Sequence, residues 1–328
     1  MADKITAIVG IKDSMSTIQS KLNKGGLIWF TKGTYKITKQ LVIPPNTTID
    51  LKGSTLQRKA SIQSIFINKV SNSVTKYNGA GNITIMNGTF EGMGGYSYDN
   101  LVTFFHSYNV KILACTFRDI LCHGIELNSS KNCIINECQF LGYNLENKDN
   151  SFRECIQLDH AGFSALVISG STKNSKCYDG TCCTDVEISN CLFTKSAYRD
   201  YPYVAIGEHS QLRGNYKHKG IKIHDNEIHC KKNPELIQAA ISITSMEDVE
   251  VYNNTFDCSR VARIYSKDYS YNLKGTKVTA QDGDGICKNV SIKNNTISGC
   301  TSSDAFKQYN KSGTTNHSGI VKKPNKYV

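Results

Sequence analysis

"NVKILACTF" (residues 109–117) is a short alternating strand, a two- or three-residue polar turn and an aromatic anchor. The same pattern returns as "NITIMNGTF" (82–90), "NCIINECQF" (132–140), "DVEISNCLF" (185–193), "GIKIHDNEI" (220–228), "VEVYNNTF" (249–256) and "NVSIKNNTI" (289–297). The anchors are Phe90, Phe117, Phe140, Phe193, Ile228, Phe256 and Ile297, and the nearest of them are 23 to 28 residues apart. A repeat of this length signals a solenoid, because one strand-turn unit cannot bury its apolar face until the next unit stacks on it. Helical periodicity is almost absent, and no Leu-x-x-Leu-x-Leu register appears, so the units read as coils of a parallel β-helix.

Two positions before the anchors stand Cys115, Cys138, Cys191, Asn226, Asn254 and Asn295. Stacked at the ~4.8 Å strand spacing, such a column becomes a hydrogen-bonded asparagine ladder at a turn, with cysteine as a small buried substitute. The chain has 13 cysteines, an odd number at irregular spacing, and 328 residues, which is too long for a disulfide-stapled miniature domain. Cys115, Cys138 and Cys191 are therefore expected to be reduced and structural. "CYDGTCCT" (Cys177, Cys182, Cys183) lacks the paired spacing or nearby histidine of a zinc site.

Both ends of a solenoid need covering. "SMSTIQSKLNKGG" has Ile18 and Leu22 four apart, a Ser/Thr start and a Gly25-Gly26 stop, and predicts a capping helix near 14–24. The expected organisation is an N-terminal capping segment over 1–26, an all-β, single-stranded parallel β-helix over 27–300, and a polar tail over 301–328. Trp29, the single tryptophan, is expected in the core or cap, with ligand stacking as the alternative.

A second strand recurs in each coil. "HGIELNS" (123–129), "ECIQLDH" (154–160), "VAIGEHS" (204–210) and "QAAISITS" (238–245) align on Ile125, Ile156, Ile206 and Ile241. With those isoleucines inward, Glu126, Gln157, Gly207 and Ser242 form one outward column, and Asn128, Asp159, His209 and Thr244 the next. Glu208 falls inward unless Gly207 turns it out. Concentrating acids, amides and imidazole on successive coils is what a site looks like, whereas a solvated face mixes Lys, Thr and Ser. The catalytic candidates are Glu126, Asp159, Glu208 and His209. The substrate-binding candidates are Gln157, Asn128, Glu154, His160 and His123, with Tyr198, Arg199, Tyr201 and Tyr203 on an insertion at 194–204.

Glu126 and Asp159 are offset by one coil and two residues, about 8 Å between backbone positions. That matches the roughly 6.5–9.5 Å between the carboxyls of an inverting glycosidase. Hydrolysis calls for no cofactor. Elimination on a uronic-acid polymer would call for calcium held by Glu126, Asp159 and Glu208. Glycan binding without cleavage is the third reading.

The segment "TIQSKLNKGGLIWFTKGTYKIT…LVIPPNTTIDLKGSTLQ", followed by the repeated coils, resembles the right-handed parallel β-helix, pectate-lyase-like superfamily. That resemblance covers roughly residues 14 to 300. It implies a polysaccharide substrate, with phage tailspike depolymerases closest in character and a homotrimer if the likeness to tailspikes holds. The start "MADKITAIVGIKDS" does not read as a signal peptide. A virion-associated protein released by lysis, or otherwise a cytoplasmic one, is the expectation. The formal charge of +11 suits acidic polymers, and no motif for nucleic acid accompanies it. No apolar run approaches the ~20 residues of a membrane helix.

Overall fold

The computed structural model describes residues 4–92, 100–143, 154–163, 168–208, 212, 216–233, 238–266, 269–280, 284–310 and 317–328. The chain winds as a parallel β-helix whose coils visit three stacks of strands. The first stack runs through Tyr108–Leu113, Lys131–Asn136, Thr184–Ser189, His218–His224, Met246–Tyr252 and Lys288–Lys293. The second includes Thr116–Ile120, Gln139–Tyr143, Leu192–Thr194, Glu227–His229, Thr255–Asp257 and Thr296–Ser298. The long strands Thr47–Arg58 and Ile83–Glu91 belong to both and join them into one sheet. The third stack is a separate parallel sheet that includes Val102–Phe105, Ile125–Asn128, Glu154–Asp159, Val204–Gly207, Ile241–Ile243 and Ala262–Ser266.

The anchors pair with one another in unbroken register from Phe90 to Ile297, and all are buried. Phe90, Phe117, Phe140 and Phe193 stack nearly parallel, with ring centroids 5.1, 5.0 and 4.6 Å apart. That spacing follows from the strand separation, so identical residues in one column stack by geometry.

Between the first and second stacks the chain bends at a residue of positive φ in each coil, including Asn190, Asp225, Asn253 and Asn294. Asn and Asp tolerate this region better than other non-glycine residues. The next residue forms the ladder. Cys191, Asn226 and Asn254 each donate the backbone N–H to the Oδ1 of the asparagine one coil on, at 2.9 to 3.0 Å. Asn226 and Asn254 also donate Nδ2 to Ile188 and Ile223 carbonyls at 3.0 Å. Cys138 and Cys191 do more than fill space in this column. Their thiols donate to the carbonyls of Asn136 and Ser189, at 3.4 and 3.1 Å, as weak stand-ins for the amide. Cys115, Cys138 and Cys191 are buried free thiols, and burial pushes the Cys115 thiol well above its usual range.

The capping helix spans Met15–Leu22, with the Ser14 hydroxyl accepting from the Thr17 N–H and with Ile18 and Leu22 buried. Two boundaries differ from the sequence reading. A strand at Ile5–Val9 precedes the helix and pairs with Gly26–Phe30, so the solenoid begins before its cap. At the other end, residues 301–328 are not simply a tail. Phe306–Asn310 extends the third stack, Ser318–Val321 the first and Lys326–Tyr327 the second. Asn325 continues the ladder, accepting from the Asn295 N–H at 3.0 Å. Trp29 is half-buried between the core residues Ile28 and Phe30, and Lys52 Nζ lies 4.2 Å above its ring.

Candidate functional site

The third stack sets the site. Ile125, Ile156, Ile206 and Ile241 are in register, as are Glu126, Gln157, Gly207 and Ser242, and Asn128 faces Asp159. His209 lies outside the described residues. Cys155 and Ile156 both join the core, so strict alternation begins only after them.

The polar columns are buried. Glu126 is 3% exposed, Asp159 2%, and Glu208 and His160 0%. Glu126 Oε1 accepts from Asn128 Nδ2 at 2.6 Å, and its Oε2 accepts from Asn100 Nδ2. Asp159 mirrors this arrangement. Its Oδ2 accepts from Gln157 Nε2 at 2.9 Å and its Oδ1 from the His160 N–H at 2.7 Å. The His160 Nδ1 lies 2.9 Å from the same Oδ1, and its ring meets the Tyr271 ring edge-on. Burial, followed by the charge of Asp159, pushes the Glu126 carboxyl up to about 8 against the pull of its amide donors. At neutral pH Glu126 therefore carries its proton.

Gly207 is explained by close approach rather than by a kink. A Cβ there would stand 2.4 Å from the Ser242 carbonyl oxygen. The strand ends at Gly207, and Glu208 then meets His218, the first residue of the next first-stack strand. His218 is wholly buried, and its Nδ1 accepts from the Cys183 N–H at 3.0 Å. The proton of the neutral ring must then sit on Nε2, which donates to Glu208 Oε2 at 3.1 Å. Burial holds the imidazole down to about 3, with His160 pushing the same way and Asp159 opposing. The Glu208 carbonyl accepts from Ser242 Oγ at 2.9 Å and Tyr265 Oη at 3.1 Å. Arg263 Nε donates to Ser242 Oγ at 2.9 Å, with its guanidinium 4.7 Å from the Tyr265 ring centroid.

His218, Arg263, Tyr265, Ser242 and Asn100 were not singled out as site residues from the sequence. The remaining candidates have the following described surroundings. Glu154 is buried at the first strand position, in register with Val204, and its carbonyl accepts from His123 Nδ1 at 2.7 Å. Tyr198 is 83% exposed, and its N–H and that of Arg199 donate to Ser196 Oγ. Tyr201 packs beside Lys195 and His229, and Tyr203 is half-buried. The described partners of these loop residues are thus on the second-stack side.

In a structural comparison, a surface adhesin of Streptococcus pneumoniae, PfbA, superposes with a TM-score of 0.71 at 19% identity, over 97% of this chain and 83% of that one. A polygalacturonase from Erwinia carotovora gives 0.61 at 12% identity, over 98% and 85%. The chain has the right-handed parallel β-helix fold of these proteins. In sequence, it is 25% identical over 285 residues to a plasmin and fibronectin-binding protein A of S. pneumoniae, covering 76% of this chain. The chain spans 37% of that relative's length. No family model matches the sequence. No helix among the described residues is long and apolar enough to cross a membrane.

Proposed function

We propose that this chain binds an anionic bacterial polysaccharide and cleaves it by glycoside hydrolysis at the Glu126–Asp159 pair. The observation carrying the reading is that two buried carboxyls stand diagonally on adjacent coils, and burial with the charge of one holds the other protonated. Glu126, pushed up to about 8, keeps a proton to give to a leaving oxygen. Asp159, whose charge helps raise Glu126, is the carboxylate of the pair that would activate water. The offset of one coil and two residues suits a water between them and inversion at the anomeric carbon. Glu208, held by His218, is the neighbouring carboxylate that shapes the charge of the site. The relatives with this fold include a polygalacturonase, which is consistent with a uronate-bearing substrate.

A second reading, glycan binding without cleavage, is favoured by a specific feature. Each oxygen of Glu126 and of Asp159 already has a protein donor. The streptococcal relatives named above are adhesive proteins. Elimination is less well supported. The Glu126 oxygens already face two amide donors, which leaves them poorly placed to ligate a hard cation. Calcium does not fit that donor set. The reading places the protein where such polymers lie, outside a cell or on a surface. A homotrimer is the assembly to test by light scattering.

The test is to incubate the protein with a panel of acidic capsular and wall polysaccharides. New reducing ends without the ultraviolet absorbance of an unsaturated uronate mean hydrolysis. The absorbance means elimination, and retention without either means binding alone.

A further inference from the structure

The first stack carries a concavity on its outer face, away from the acid cluster, with a volume of about 700 Å³. That volume lies within the roughly 300–1,000 Å³ of ligand sites. It crosses five successive coils, from the strand of Thr84 through those of Lys111, Ile134 and Glu187 to that of Lys222. Its length along the solenoid axis is therefore four strand spacings, about 19 Å.

One side is an exposed amide ladder. Asn109 Nδ2 donates to Asn82 Oδ1 at 2.9 Å, and Asn132 Nδ2 to Asn109 Oδ1 at 3.1 Å. Each amide spends one N–H on its neighbour and keeps the second for solvent or ligand. Donors thus repeat once per coil, a spacing close to the advance of an extended sugar chain. Lys111 and Lys222, three coils apart, are exposed; Lys111 has Thr84 and Ile134 as its neighbours in register, whereas Lys222 stands between Glu187 and Glu250. Two carboxylates, Asp185 and Glu187, also line the groove, with Glu187 in register beside Lys222, so the cation without an acid beside it is Lys111. Ile134 gives an apolar step between the two lysines for the face of a sugar ring.

We infer that this groove is a second polysaccharide-binding site, which holds an acidic glycan along the solenoid axis through Lys111, Lys222 and the Asn82–Asn109–Asn132 ladder. It rests on the reading that the ligand is an anionic glycan and adds an anchor remote from the reacting pair. A polymer held here is retained between cleavage events, whereas a short oligomer reaches the acid cluster without it.

The experiment measures binding of polygalacturonate, alginate and neutral dextran to the full chain by affinity electrophoresis. Every arm carries Glu126→Gln, to prevent turnover. Lys111→Glu with Lys222→Glu should weaken retention of an acidic polymer roughly tenfold, since each reversal removes an attraction and adds a repulsion. Asn109→Ala, which leaves the charge alone, should weaken it about twofold to threefold. Unchanged circular dichroism establishes that the variants fold. Retention by the double lysine variant equal to its parent, equal retention of dextran, or no retention of either acidic polymer would each overturn the groove. A separate arm, with Glu126 intact, measures cleavage of short acidic oligomers by the lysine variant. Failure of the groove with cleavage intact leaves the hydrolytic reading standing. Retention without any cleavage by the parent chain removes hydrolysis and leaves the groove.

Discussion

Glu126 and Asp159 stand at opposite corners of a two-by-two array whose other corners are Gln157, paired with Glu126, and Asn128, paired with Asp159. Direct pairing would put two carboxylates one strand spacing apart, about 4.8 Å, where like charges repel strongly. The diagonal separates them and puts an amide beside each, Asn128 on Glu126 and Gln157 on Asp159. The array tolerates two acids under cover because one of them holds its proton.

That proton makes stability depend on pH. Folded Glu126 ionises near about 8, against 4.5 as the reference value for the unfolded chain. Folding between those values must take up a proton. The contribution is fully present below about 4.5 and is lost as pH rises toward about 8. Glu126→Gln should therefore gain on the wild type between pH 5 and pH 8 in urea unfolding. A constant difference across that range would contradict the assignment. Activity, which needs the proton, should fall above pH about 8.

His218 titrates in the opposite sense. Its folded value of about 3 lies below the reference of 6.5, so its contribution is present above about 6.5 and is lost as pH falls toward 3. His218→Leu leaves the buried Glu208 carboxylate without this donor and the Cys183 N–H without its acceptor. It should cost about 3 kcal/mol or more at pH 7. His218→Asn, which keeps a donor and an acceptor, should recover part of the loss. Equal unfolding midpoints for the two variants would show that the bonds do not matter.

The ladder offers a test of the cysteines. Asn254→Ala removes the acceptor of the Asn226 N–H and the donor to Ile223, and should cost about 2 kcal/mol. Asn254→Cys should lose less, because Cys138 and Cys191 fill this slot with their thiols on backbone carbonyls. Thermal denaturation of both variants compares them directly. A cysteine variant no better than alanine would make those thiols packing alone.

The columns of the third stack were readable because period-two alternation and the repeat fix which side chains share a face. Ile125 to Ile241 aligned without gaps despite the insertions between them. Burial of the polar columns was not readable, since it depends on what covers the sheet rather than on the strand. His218 was missed because it opens a first-stack strand and reaches Glu208 only through the path of the coil. Arg263 and Tyr265 were missed because the polar pattern thins at "QAAISITS", one coil earlier. The last coil did leave a signal. Asn325 and Tyr327 repeat the spacing of Asn295 and Ile297, but an insertion around 301–316 hides it.

The central claim is that Glu126 and Asp159 act as a chemical pair, and turnover with binding measured alongside tests it most directly. Glu126→Gln and Asp159→Asn keep shape and hydrogen-bonding capacity while removing the proton to give and the carboxylate to receive one. The measurement is the rate of reducing-end release from the best acidic polysaccharide, with affinity measured on the same preparations. Glu250→Gln, on the first-stack strand Met246–Tyr252, away from the pair, is the control. The account predicts a fall of at least about 10²-fold in kcat for each site variant, with affinity preserved and the control unchanged. Turnover within a few-fold of wild type for both site variants would contradict it.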